Sequence, residues 1–158
     1  MKITIIGVGK IKEKYLTEGI KDYVKRLSKY TKLEIIEVPD LKAPENLSRK
    51  EKRIILDKEG NKIVTKIKDS YVIALEKEGV KFSSEELAKK IEAIKTYSSS
   101  HITFIIGGSL GLSPSVLNKA DLKMSFSEMT FPHQLMRLVL LEQIYRAFRI
   151  NNNEPYHK

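Results

Sequence analysis

A chain of 158 residues, 41% hydrophobic and 31% charged, is sized for one soluble domain with a sizeable core of its own. It has no cysteine, which excludes disulfides, thiolate zinc sites, iron–sulfur clusters and cysteine nucleophiles, and His101, His133 and His157 are too scattered for a metal-ligand motif. The formal charge of +9 is uneven: residues 1–70 carry 18 Lys/Arg against 11 Asp/Glu and residues 71–158 carry 11 against 9, so the first half suits a polyanion, with solubility as the plainer explanation.

The first element is KITIIGV (2–8), a strand. The leading segment MKITIIGVGKIKEKY has too short an apolar core for a signal peptide and no small-residue cleavage site. No apolar run approaches the roughly 20 residues needed to span a bilayer, so a cytoplasmic protein without a membrane segment is expected. The first turn, Gly7-Val8-Gly9-Lys10-Ile11-Lys12, holds GxG but lacks the third glycine of a dinucleotide fingerprint. Lys10, Lys12 and Lys14 either reach RNA backbone or decorate the surface.

From Tyr15 to Tyr30, apolar Leu16, Ile20, Tyr23, Val24 and Leu27 share a helix face. KLEIIEV (32–38) reads as the second strand, and 46–68 as a lysine-rich helix with a capping box between Ser48 and Glu51. YVIALE (71–76) is a third strand, followed by a helix over 83–97 with Ser83 and Glu86 as its capping box. HITFIIGG (101–108), a helix start at Ser113-Pro114, a short strand LKMSF (122–126) and a helix from 132 to 150 complete the order. Strands and helices alternate throughout, and several strands are continuous hydrophobic runs. Both features predict an α/β domain over 1–158 with a mainly parallel sheet flanked by helices.

The last helix is apolar around more than one face at Leu138-Val139-Leu140-Leu141, continued by Ile144, Tyr145 and Phe148. A second copy of the chain would bury such a helix on two sides, giving a homodimer; a wholly internal helix is the alternative. Arg137, Arg146 and Arg149 stand out in a cation-poor half as phosphate or base contacts; Arg146 and Arg149 share a helix face with Glu142, which makes intrahelical ion pairs the alternative.

The loop IGGSLGLSPS carries no lysine after its last glycine, so it is not a phosphate-cradling NTPase loop. Its company gives it meaning. Leu75, Gly107 and the loop 126–131 all fall at the carboxyl ends of the last three strands, where open parallel sheets bind ligands. In FSEMTF, Ser127, Glu128 and Thr130 alternate with Phe126, Met129 and Phe131, a mixture that suits an adenine-containing cofactor.

The segments IIGGSLGLS, SFSEMTFPHQLMRLVLLEQIYRAF and NNNEPYHK, with MKITIIGVGK and LDKEG, resemble the RlmH family of small ribosomal RNA pseudouridine N3-methyltransferases, within the SPOUT superfamily. The likeness spans essentially the whole chain. It implies a C-terminal trefoil knot, a feature that chain topology otherwise avoids and that no periodicity could show. It also implies a homodimer built around that knot, acting on the 23S rRNA of assembled ribosomes. S-adenosylmethionine would be held by Leu75, Gly107, Phe126, Ser127, Glu128, Met129, Thr130 and Phe131. No metal is implied.

Methyl transfer to a ring nitrogen needs an aligned acceptor and a destination for its proton. His157 and His133 are the candidates for that proton. His157 lies in a polar tail of the kind that usually frays, whereas the resemblance places this tail in the active site, reaching a neighbouring protomer. There Tyr156 would stack on a base and Lys158 would offset RNA charge, with Arg146 the third expected catalytic group. A non-enzymatic ribosome-associated RNA-binding protein and a related transfer-RNA methyltransferase are the competing expectations. The first has no use for a cofactor pocket.

Overall fold

The computed structural model describes residues 1–42 and 44–157. Among them the strands are β1 (Lys2–Val8), β2 (Lys32–Val38), β3 (Tyr71–Lys81), β4 (His101–Ile106) and β5 (Leu122–Ser125). They alternate with helices α1 (Lys14–Leu27), α2 (Arg49–Lys66), α3 (Ser84–Tyr97), α4 (Pro114–Lys119) and α5 (His133–Asn151). Helix starts follow local chemistry. Ser48 and Ser83 each accept from the backbone N–H three residues on, at 3.2 and 3.1 Å, in capping boxes completed by Glu51 and Glu86. Ser113 caps α4, with Pro114 as its first residue.

The five strands form one sheet in the order β2-β1-β4-β3-β5, every neighbouring pair parallel. Alternation along β1 sends Ile3 and Ile5 to one core and Ile6 and Val8 to the other; β4 does the same with Phe104 and Ile105. The larger core lies under α1, α3 and α5, and the smaller lies under α2 and α4. A parallel sheet gathers all its carboxyl ends at one edge, and the pairing order makes β4, β3 and β5 neighbours there. No helix among the described residues is long and apolar enough to cross a membrane.

Three sequence expectations are revised. Strand β3 runs on to Lys81 rather than stopping at Glu76, because Leu75 and Val80 both pair with Met124 and residues 76–79 bulge out between them. The charged run Glu76-Lys77-Glu78 that ended the strand signal occupies this bulge. Strand β4 stops at Ile106, and Gly108 forms an isolated bridge with Gly111 instead. The third revision concerns α5. It packs between α1 and α3 on the sheet, which leaves Leu140, Leu141 and Ile144 with no exposed surface, while Leu138, Val139 and Tyr145 are half-buried. The burial of Leu140, Leu141 and Ile144 is thus accounted for within one chain.

Candidate active site

At the carboxyl edge, the bulge within β3, the segments after β4 and β5 and the start of α5 enclose an open cleft of about 200 Å³. Of the eight residues expected to hold a methyl donor, Leu75, Gly107, Phe126, Ser127, Met129, Thr130 and Phe131 line it. Glu128 does not: its side chain is 88% exposed and pairs with Lys81 at 3.2 Å. The walls are apolar and sulfur-rich, with Met124 and Met136 behind Phe126 and the exposed Met129 and Phe131 at the rim. Glu76 and Lys77 bring the charged groups.

Local polar contacts shape the two loops. The Ser125 hydroxyl donates to the Ser127 carbonyl at 3.2 Å, and the Ser127 hydroxyl accepts from the Met129 N–H at 3.0 Å. In the glycine loop, the Gly111 N–H donates to the Gly108 carbonyl at 3.1 Å and Gly111 sits at φ +81°. A Cβ on Gly107 would lie 2.5 Å from the Gly111 carbonyl oxygen, so glycine there is required by closure of the loop itself. Aromatic rings, thioethers, backbone polar groups and one acid–base pair fit S-adenosylmethionine, with its flat purine, sulfonium and amino-acid end. His133 also lines the cleft, in the first turn of α5.

The expected catalytic residues assemble elsewhere. Arg146 Nη2 donates to Glu142 Oε1 at 2.6 Å and its Nη1 lies 3.1 Å from His157 Nδ1. The other imidazole nitrogen, Nε2, is 2.7 Å from Glu85 Oε1. A guanidinium can only donate, so His157 Nδ1 accepts and Nε2–H donates to Glu85. The Glu85 carboxyl is held below its usual range by its own backbone N–H and by this imidazole. Tyr156 rests edge-on against Tyr145 and its hydroxyl donates to Glu142 at 3.3 Å. Burial, then the Tyr23 hydroxyl, pushes the Tyr156 phenol well above its ordinary value, so it stays protonated. The tail is docked rather than frayed. Lys158 lies outside the described residues.

Arg146 sits ten residues beyond Met136, about 15 Å along the helix at 1.5 Å per residue. One chain thus holds the cleft and the Tyr156–His157–Arg146 cluster apart on α5. All three arginines of α5 have partners within the chain. Arg146 takes Glu142; Arg149 takes Glu154 at 2.6 Å and the Tyr30 hydroxyl at 3.1 Å; Arg137 takes Glu37 at 2.7 Å and the Gly9 carbonyl at 3.0 Å.

Arg137 is 2% exposed and lies directly against Gly7, where a Cβ would collide with its guanidinium. This fixes the start of α5, and so one wall of the cleft, to the end of β1. Sequence reasoning noticed the residue but not its burial. Gly108, Gly111 and Met136 had a signal, the first two in the glycine run and the third one turn after His133; Glu76 and Lys77 had none. The LDKEG segment is a packing device. Gly60 lets α2 close on Ser113, the cap of α4, and buried Glu59 accepts from the Leu41 N–H at 3.1 Å. Among the described residues no cluster of three or more His, Asp or Glu is placed to hold a metal ion.

Comparison with known proteins shows a match between residues 1–157 and the family model for a predicted SPOUT methyltransferase. The ribosomal RNA large subunit methyltransferase H of Clostridioides difficile (strain 630) is 66% identical, and that of Alkaliphilus oremlandii (strain OhILAs) 62%, each over 100% of both chains. Among solved structures, a candidate methyltransferase of Legionella pneumophila in complex with the bound cofactor SAM has a TM-score of 0.52 at 11% identity. A probable methylase family protein from Haemophilus influenzae Rd KW20 has 0.51 at 13%. They cover 94% and 96% of this chain, which spans 66% of each of theirs. At such identities the likeness is one of fold.

Proposed function

Because this chain belongs to the SPOUT methyltransferase family, we propose that it methylates the 23S ribosomal RNA of the large subunit, at N3 of a pseudouridine, with S-adenosylmethionine as donor. The observation that carries this reading is the full-length identity of 66% and 62% to relatives named for large-subunit ribosomal RNA methylation. The aromatic and thioether cleft supports it, since a protein that only bound RNA would have no use for such a cleft. S-adenosylmethionine, when bound, supplies an electrophilic methyl group on a sulfonium sulfur.

The chain's own residues then have three tasks. Phe126 and Phe131 offer flat apolar surface to the purine, and Glu76 and Lys77 offer opposite charges to the amino-acid end. The tail supplies the acceptor side: Tyr156 a ring for base stacking, Arg146 a cation that favours the deprotonated ring, and His157 a proton carrier once its contacts to Arg146 and Glu85 open. Because cleft and cluster stand apart in one chain, the complete site takes the cleft of one protomer and the tail of its partner, in a homodimer. The trefoil knot, a cytoplasmic location and ribosomes as the working substrate belong to the same reading.

Transfer of labelled methyl from S-adenosylmethionine to ribosomes lacking the modification tests it. Label in 23S rRNA at pseudouridine is the expected result. Label confined to transfer RNA, or calorimetric absence of donor binding, would overturn it.

A further inference from the structure

We infer that the first two turns of α2 are a clamp for RNA backbone, distinct from the donor cleft; this deepens the reading of the protein as an rRNA methyltransferase and rests on it. In an α-helix, residues seven apart lie on nearly the same stripe. Glu59, Gly60 and Ile63 are the buried residues of α2 and face the sheet and α4. Seven residues earlier on that stripe stand Lys52, Arg53 and half-buried Leu56, and seven before Leu56 stands Arg49. Arg49, Lys52 and Arg53 occupy core-facing positions and are nevertheless exposed. The helix has overshot the sheet. Since α2 follows the carboxyl end of β2, its overhang lies at the edge that also holds the cleft.

Local energetics make the sequence there costly. Four of the first five residues of α2, Arg49, Lys50, Lys52 and Arg53, are cations at the positive end of the helix dipole. The single acid among them, Glu51, is engaged in the capping box with Ser48. Arg53 pairs with Asp57 at 3.0 Å, while among the described residues Arg49, Lys50 and Lys52 make no ion pair. Unpaired cations that oppose the dipole gain nothing for the free protein. A run of phosphates reverses the balance, because it meets several cations together and releases condensed counterions. Guanidinium groups add the fork that matches phosphate oxygens. The exposed Lys10 and Lys12, after β1, extend the charge along the same edge.

The test is the triple variant Arg49→Gln/Lys50→Gln/Lys52→Gln beside Lys58→Gln/Lys62→Gln, a control on the outward face of the same helix. Binding to protein-free 23S rRNA is measured across a salt series. Methylation of ribosomes and calorimetric donor binding are followed in parallel. The triple variant should keep or raise its Tm, bind donor like the parent, and lose about tenfold or more in RNA affinity. Its slope of log affinity against log salt should become shallower by about 0.7 to 0.9 for each phosphate that the variant no longer neutralises. Its methylation defect should appear as a raised KM for ribosomes, and the control should change far less.

An unchanged salt slope overturns the clamp, as does a control that loses as much. A loss on ribosomes without loss on free RNA assigns the surface to a ribosomal protein and also overturns it. A parent that binds RNA through this surface but transfers no methyl leaves the clamp standing and overturns the methyltransferase reading.

Discussion

Gly107 illustrates how a single residue can matter for a reason other than the obvious one. It looks like space left for a ligand, yet the atom that a side chain would meet is the Gly111 carbonyl of its own loop, at 2.5 Å. Gly107→Ala should therefore displace the loop and lower donor affinity about tenfold by calorimetry, with the core intact; undiminished affinity would mean that the loop is not part of the donor site. Glu59 carries a pH dependence. Burial, followed by the nearby Asp40, raises its carboxyl above the ordinary 4.5, against the opposing Leu41 N–H. A raised folded-state value means stability present at low pH and lost as pH rises past the unfolded value. Glu59→Gln keeps an acceptor for Leu41 without the charge. It should melt higher than the parent at pH 7.5, and the advantage should vanish near pH 4. A parent that melts at least as high at pH 7.5 would show that the buried carboxylate is not a burden.

At the scale of elements, the docked tail makes two demands that a frayed tail would not. Removing residues 156–158 strips Tyr156 from its edge contact with Tyr145 and its bond to Glu142. An aromatic contact of this kind is worth about 1 kcal/mol, so the truncated protein should melt a few degrees lower. Donor binding should persist while methylation of ribosomes collapses. Methylation at the parental rate would place the catalytic groups elsewhere. The cap of α3 is independent of the chemistry. Ser83→Ala should cost about 1 kcal/mol in denaturant melts, because the Glu86 N–H loses its acceptor, and should leave donor affinity unchanged.

For the whole molecule, α5 is the keystone of one core and the rail along which cleft and tail are separated. Leu140→Glu with Leu141→Glu would place two carboxylates where no surface is exposed, a penalty of several kcal/mol each against a total stability of about 5–15 kcal/mol. The double variant should be unfolded by circular dichroism; a folded monomer would return α5 to the role of an interface. A shared site is tested by co-expressing a tail-truncated chain with a Phe126→Asp chain, each inactive alone, and partial recovery of methylation is the expected result. What the sequence determined by itself was local: ten elements in order, both capping boxes, the serine–proline start of α4 and the loops after β4 and β5, because periodicity and capping act within a few residues. What only the tertiary structure decided was long-range. Neither the burial of α5 inside one chain, nor Arg137 under Gly7, nor the overhang of α2 can be read from spacing, since each depends on which element lies across from which residue. The same holds for Glu128, whose neighbours in FSEMTF enter the cleft while its own carboxylate turns to Lys81.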